Sequence, residues 1–353
     1  MPYDKSTSLY PLKFTPIYKE KVWGGRRLEM MGRNLPGTDE TTIGESWEIA
    51  DLGETSVSGG GGEAERSVIA NGPLESMTLY EAIQRFGPRL MGDLEPTAAG
   101  DFPLLVKYLD AAENLSLQVH PSQSFARQHP EAHFKSEAWY VVAADPGAAI
   151  YKGVREAVDA QQLTEAIATN QAQQIEPLLV KVPVKAGDCH YLPSGTCHAL
   201  GAGVLVAEVQ TPSDTTFRVF DWGRTGRQLH IDEAMRCIDF GPVEVDRYER
   251  RTHIAGMFTA VSCLVSCEYF RIEKVRMSQG YEQEIPYDQP TIWMVLEGSG
   301  QISMGSSIEP VVFSAGETML MPASIGEEAK VVLEEDTVWL EVTFPQAQRT
   351  QIA

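Results

Sequence analysis

Residues 115–120 read LSLQVH and run straight into Pro121. Leu115, Leu117 and Val119 alternate with Ser116, Gln118 and His120, the period-two pattern of a strand with one buried face. Gln118 and His120 therefore project from the same side of that strand. A carboxamide and an imidazole at this spacing either form an ordinary solvated face or point together into a site, and the strand alone leaves both readings open. Two further stretches carry side chains of the same kind: GDCHYLPSGTCH, which ends on His198, and EAWYVV, which begins on Glu137. His129, His133, His190, His230 and His253 lack such partners and read as surface or structural residues.

The elements that must position these residues are mostly strands. Short apolar runs at 104–111, 137–144, 182–193, 203–210, 269–277, 291–304, 317–323 and 337–344 are separated by Gly, Pro, Asn and Asp, which predicts a β-sandwich or barrel. Helices are expected at Thr78 to Phe86, at Val154 to Leu179 with Leu163 and Ile167 on one face, and at Asp232 to Cys237, as insertions on that scaffold. SGGGGEAERS, 58–67, reads as a flexible surface loop. A faint repeat sets the organisation. GDCHYLPSGTCH, 187–198, and GETMLMPASIGE, 316–327, share the spacing of Gly, Pro and a final polar residue, with Glu327 where the first copy has His198. This predicts two copies of one β-barrel module, the second without a preceding Gln-x-His. The charged stretch 241–255 between them suits a linker.

A chain of 353 residues has room for two or three domains, and its 43% hydrophobic and 22% charged content is that of a globular protein. With 29 Lys and Arg against 49 Asp and Glu the net charge is -20. That excludes non-specific attraction to nucleic acid or to an anionic membrane, and an anionic substrate needs a local basic cluster. The stretch MPYDKSTSLYPLKF lacks the continuous apolar core of a secretory signal, no run of about 18 apolar residues occurs, and the five cysteines are scattered without a C-x-x-C pair. The expectation is a cytoplasmic protein without a disulfide framework or a structural zinc knot.

G-x5-P-x-G-x2-H resembles the second signature of the cupin barrel, whose first signature supplies two metal ligands on one strand and a Glu on the next. That resemblance implies Gln118, His120, Glu137 and His198 as a ligand set. Two nitrogens and two oxygens suit a borderline divalent ion such as Zn2+, one per chain. More specifically, PIYKEKVWGG, IGESWEIA, FPLLVKYLDAAENLSLQVHPS, KSEAWYVV, AGDCHYLPSGTCHAL and LVAEVQTPSDTTFRVFDWGR resemble the type I mannose-6-phosphate isomerases of the shorter bacterial kind. The resemblance implies a mainly β fold of two cupin, jelly-roll type, barrel modules with a few short helices inserted. Residues 1–245 are then a catalytic cupin domain with helical insertions at about 72–95 and 154–179, and 255–345 a degenerate cupin without metal ligands. It also implies that Arg218 is the family's active-site arginine, with Asp214 four residues before it, and that Lys135 and Lys107 are pocket lysines. The chain departs from the longer relatives in carrying Phe134 where they have a His before the lysine, and in a much reduced helical insertion.

The implied activity is interconversion of mannose 6-phosphate and fructose 6-phosphate, a sugar phosphate being the only partner expected. Such a reaction passes through an enediol, so it needs a base near C1 and C2 and positive charge near their oxygens. Zinc and Arg218 suit the enediolate, while Lys135 or Lys107 serves as base, with a lowered pKa, or as phosphate anchor. Blander readings stand beside these. Lys107 can snorkel to the surface, Asp214 can be a turn residue, Arg218 can pair with Asp221, and Trp23 and Trp47 read as packing residues. Glu208 faces inward if Val206 does not, as a substrate contact or a neighbour of the ligands, and is otherwise merely exposed. The competing functions are another metal-dependent cupin enzyme, such as an oxygenase, and a non-catalytic sugar-binding bicupin.

Overall fold

Gly187 and Gly316 both adopt left-handed backbone, at φ 92° and 88°, a conformation that penalises any Cβ. Each opens a tight turn into a strand, Cys189–Leu192 and Thr318–Met321. Each also donates its amide to a valine carbonyl, Val141 at 2.8 Å and Val295 at 2.9 Å. Beyond the strands the Thr196 amide returns to the Pro193 carbonyl and the Ile325 amide to Pro322, both at 3.1 Å. The faint repeat is thus repeated backbone geometry; its last residue in the second copy, Glu327, lies outside the described residues. The computed structural model describes residues 7–60, 64–242, 252–285, 287–305, 308–325 and 329–345, and they are mainly β.

Packing gathers the chain into two units: Pro16–Glu65 with Leu104–Val245, and Met1–Thr15 with Arg66–Pro103 and Asp246–Ala353. A single boundary between 245 and 255 does not describe this division. Leu12–Lys13 pairs with Leu320 and Met319, and the Ala323 amide donates to Leu90 O at 3.0 Å, so the N-terminal strand and the 66–103 segment group with the later strands. In that second unit the Leu79–Phe86 helix starts at a capping box between Thr78 and Glu81. A seven-stranded and a four-stranded sheet there enclose Trp293, Phe313, Met319, Val331 and Trp339, the two indoles stacked at 4.5 Å.

The first unit is built from two antiparallel sheets. One runs in the order Cys189–Leu192, Glu137–Ala144, Val204–Gln210, Leu105–Ala111, Ile17–Gly25, Ile43–Ile49, and the other Leu179–Pro183, Ala149–Val154, His198–Leu200, Leu117–Val119, Phe217–Phe220. Trp23, Leu109, Trp139 and Val206 of the larger sheet meet Ile150 and Leu200 of the smaller one in a shared core. The outer face of the smaller sheet, Leu117, Val119, Ala199 and Phe217, is covered by Leu163 and Ile167 of the Ala160–Ala168 helix, Ile175, and Ala234 and Cys237 of the Ile231–Cys237 helix.

That cover fixes the register of the strand on which Gln118 lies. Burying Leu117 and Val119 is worth about 1.5 to 3 kcal/mol each, so a one-residue slip that buried Gln118 and His120 under the helices instead is strongly disfavoured. The expected helix from Val154 to Leu179 is shorter than its apolar pattern: Val154 closes a strand, and the Asp159–Gln162 capping box delays the helical start to Ala160. No helix among the described residues is long and apolar enough to cross a membrane.

Candidate active site and metal centre

Two rows of side chains face each other across the first unit. On the smaller sheet Lys152, His198, Gln118 and Arg218 are successive cross-strand partners. On the larger sheet the row is Trp139, Glu208, Lys107 and Trp47. Cross-strand partners share a face, so each row follows from one register. Val206 and Glu208 both point inward, because residues two apart must; the expectation that one faces in only where the other does not fails on the strand period. The Trp139 Nε1–H donates to Glu208 Oε2 at 2.9 Å, and its ring stands edge-on to His198 at 5.3 Å.

His120, Glu137 and His198 converge where the rows meet, all three almost fully buried. His120 Nε2 lies 3.3 Å from Glu137 Oε2, and His198 Nε2 lies 3.1 Å from Glu137 Oε1. Each imidazole donates Nδ1–H to a main-chain carbonyl, His120 to Thr215 at 2.9 Å and His198 to Thr196 at 2.8 Å. This leaves the Nε2 lone pairs aimed at one point. The Gln118 amide sits 3.3 Å from His198 Nε2.

The residues present fit a metal. His120 Nε2 and Glu137 Oε1 are buried with no hydrogen-bond partner, and Glu137 Oε2 has the Lys135 ammonium at 2.9 Å on it; the unpaired atoms are a costly arrangement that a cation relieves. Tetrahedral ligands at about 2.0 to 2.2 Å from an ion stand roughly 3.3 to 3.5 Å apart, close to the donor separations here. Burial, then the Lys135 charge, pushes the His120 pKa down to about 3. Burial opposes ionisation of Glu137, but Lys135 and His120 hold its pKa well below the usual carboxylate range. Neutral imidazole and ionised carboxylate are the forms a cation requires.

A cleft of about 380 Å³ opens beside this cluster, lined by Lys21, Lys107, Lys135, Arg218 and Arg227 among others. It is the local basic cluster that the acidic chain needs for an anionic substrate. Lys107 does not snorkel: its Nζ stands 3.5 Å from Glu208 Oε1, 3.9 Å from Glu45 Oε2 and 4.8 Å from the Trp47 ring centre. Burial opposes the charge on Glu45, yet Lys21, Lys107 and the Trp47 N–H hold its pKa down at about 2. Burial and the nearby Glu137 raise the pKa of Glu208. For Lys135 burial lowers the pKa, but Glu137 and Glu208 outweigh it and the net direction is up.

Residues 11–146 match the family model described as phosphomannose isomerase type I, catalytic domain. A mannose-6-phosphate isomerase of Streptococcus mutans is 36% identical over 323 residues, 89% of this chain and 93% of the relative. The chain belongs to the type I phosphomannose isomerase family. The crystal structure of the mannose 6-phosphate isomerase from Bacillus subtilis superposes with a TM-score of 0.81 at 28% identity, covering 95% of this chain and 99% of the other. A mannose 6-phosphate isomerase structure described as holo and zinc bound superposes at TM-score 0.70 and 17% identity, over 95% of this chain and 99% of the other.

Within this family's fold the expected residues gather unevenly. Gln118, Lys107, Lys135, Glu208, Asp214 and Arg218 all line the cleft. Arg218 does not pair with Asp221, which is taken by Arg224 and Arg227; Arg218 instead donates Nη1–H to the Gln228 carbonyl at 2.7 Å. Asp214 accepts from the Ser56 amide at 2.9 Å while also lining the cleft. The 58–67 loop is tied down at its start, where the Thr216 amide donates to Gly59 O at 2.8 Å and Gly59 and Gly60 border the cleft.

Sequence reasoning missed Lys21, Glu45, Arg227 and His230, which line the cleft; Trp23 and Trp47, read as packing residues, are buried in the hydrophobic cores and also border the cleft. Lys21, Trp23, Glu45 and Trp47 stand on Ile17–Gly25 and Ile43–Ile49. Both faces of the second strand are occupied by polar groups: Glu45 faces the cleft, while Ser46 and Glu48 are buried, Glu48 against Arg33 at 2.7 Å. Hydrophobic alternation is silent there. The Lys19, Lys21, Trp23 alternation was the available signal.

Proposed function

We propose that the chain is a zinc-dependent aldose–ketose isomerase that interconverts mannose 6-phosphate and fructose 6-phosphate through an enediol. The observation that carries this reading is the convergence of His120, His198 and the buried Glu137 carboxylate at the edge of a cation-lined cleft. Gln118, His120, Glu137 and His198 hold the ion; a half-turn of the Gln118 carboxamide exchanges its nitrogen for oxygen at the same place. Zinc, when bound, supplies Lewis acidity toward the oxygens on C1 and C2. The zinc-bound relative and the His and carboxylate donor set support that choice of metal.

The chain's own groups supply the rest. Arg218, with Nε unpaired and buried, offers a planar donor edge to the enediolate oxygens. Lys135 and Lys107 stand over the same space as proton-transfer groups, each with a carboxylate within reach that can share a proton, Glu137 at 2.9 Å and Glu208 at 3.5 Å. Glu208 also suits a sugar hydroxyl, and Asp214 closes the loop side of the cleft. Five cations around the cavity favour a phosphate-bearing substrate over dioxygen. The matched turns after Gly187 and Gly316 support two cupin modules, the catalytic one carrying the site and the other packed with apolar side chains.

The test is an assay of mannose 6-phosphate isomerisation coupled to detection of fructose 6-phosphate, with and without a chelator. Turnover that disappears on chelation and returns with zinc is the expected result. Absence of turnover with zinc supplied overturns the proposal.

A further inference from the structure

The cations of the cleft differ in how far they are already neutralised. Lys135 lies 2.9 Å from Glu137, Lys107 3.5 Å from Glu208 and Lys21 3.1 Å from Glu45. Each ammonium has its own carboxylate, so the lysine end is close to neutral. At the arginine end Asp221 is shared between Arg224 and Arg227, and among the described residues Arg218 has no carboxylate within ion-pair distance. Asp214 lines the same cleft beside Gly60, with Oδ2 buried and without a hydrogen-bond partner. A phosphate monoester carries about -1.5 to -2 charges at neutral pH, and among the cleft's side chains it is the arginine end that has positive charge left over for it.

The segment from Asp221 to His230 builds that end. Arg227 donates Nε–H to Asp221 Oδ2 at 2.8 Å and Nη2–H to Oδ1, which fixes the guanidinium and leaves Nη1 unused. The His230 amide donates to the Arg218 carbonyl at 2.8 Å, and the Arg218 amide donates to His230 Nδ1 at 3.3 Å. This second bond makes Nε2 the protonated nitrogen of a neutral ring. Burial and the Arg218 charge keep His230 below its ordinary pKa, consistent with that form. Burial, and then the Arg227 charge, also lowers the pKa of Arg218, as expected where positive charge is uncompensated. Gln118 and Arg218 are cross-strand partners, so this arm begins on the edge strand of the smaller sheet, one strand away from Gln118.

We infer that Arg227 anchors the substrate phosphate through its free Nη1, with His230 Nε2–H as a second donor, and that the three lysines are left to the reacting end of the sugar. The inference rests on the sugar-phosphate reading above and divides its cations between two tasks. Arg227 binds and positions the phosphate, and takes no part in proton transfer.

The test compares zinc-loaded wild type with Arg227→Met and Arg227→Lys in three measurements: KM and kcat for mannose 6-phosphate, inhibition by inorganic phosphate, and zinc content together with far-UV circular dichroism. In Arg227→Met the KM and the phosphate inhibition constant are expected to rise together by at least about tenfold, with kcat within about threefold. Zinc content and far-UV circular dichroism of both variants are expected to match wild type, which a misfolded variant cannot do. Arg227→Lys keeps a charge and should recover part of the loss. Unchanged KM and phosphate inhibition in both variants, or a fall in kcat at constant KM, overturns the assignment. If wild type fails to turn over mannose 6-phosphate, the functional reading fails instead. The anchor is then still decided by calorimetric titration with inorganic phosphate, which wild type should bind more tightly than Arg227→Met.

Discussion

Lys135 Nζ and Glu137 Oε2 form an ion pair at 2.9 Å although both residues are almost fully buried. The two are separated by a single residue, and the same carboxylate faces His120 through Oε2 and His198 through Oε1. Glu137 thus adjoins both a lysine and the proposed metal position, and its charge is shared by both.

That sharing makes the effect of Lys135 on stability depend on zinc. In metal-free protein, Lys135→Ala leaves a buried carboxylate with no cation beside it, at a cost of about 3 to 5 kcal/mol. With zinc bound the carboxylate is compensated and the loss should be smaller. Thermal melts with and without zinc should show a larger zinc-induced rise in Tm for Lys135→Ala than for wild type. An equal rise in both would mean that Glu137 does not hold the ion.

Removing a ligand should separate metal content from folding. Glu137→Gln and His120→Ala are expected to purify with little zinc by elemental analysis and to lose roughly 10²- to 10³-fold or more in kcat. Far-UV circular dichroism should be unchanged, because the strands that carry them are held by the cores on either side.

Glu45 should leave a signature in the pH dependence of stability. Its folded pKa is depressed, to about 2 from an ordinary 4.5, against burial and through Lys21 and Lys107. A depressed carboxylate contributes stability that is fully present above its unfolded pKa and is lost as pH falls through the folded one. Wild type should therefore exceed Glu45→Gln by on the order of 3 kcal/mol at pH 7, with the gap narrowing between about pH 4.5 and pH 2. Urea unfolding at pH 7 and at pH 3 measures it, and a gap that widens in acid contradicts the ion-pair account.

The helical cover of the smaller sheet should matter to the site through register. Leu163→Ala opens a cavity above Leu117 and Val119, at an expected cost of about 2 to 5 kcal/mol. At temperatures where the variant remains folded its zinc content should match wild type, since His120 and His198 lie on the opposite face. Loss of zinc without loss of stability would contradict this division of faces.

Much of this was legible in the sequence where a local rule governs. Period two put Gln118 and His120 on one side of a strand, the Gly and Pro spacing marked two equivalent turns, and Thr78 with Glu81 marked a helix start; each depends on a few neighbouring residues. The strand Ile43–Ile49 was not legible. Its cleft-facing side carries Glu45 and Trp47 and its other side carries Ser46 and Glu48, so no apolar alternation betrays it. Its polar groups are satisfied by distant partners, Glu48 by Arg33 and Glu45 by Lys21.

The sequence by itself determined the side-chain chemistry and the face on which each donor lies, because strand pleat is a property of consecutive residues. Only the tertiary structure decided which cations remain available. Lys135, Lys107 and Lys21 are consumed by Glu137, Glu208 and Glu45, while Arg218 is left without a carboxylate and Arg227 with one free edge. Charge compensation depends on distances of 3 to 4 Å between residues remote in the chain, and sheet registry and packing alone set those distances.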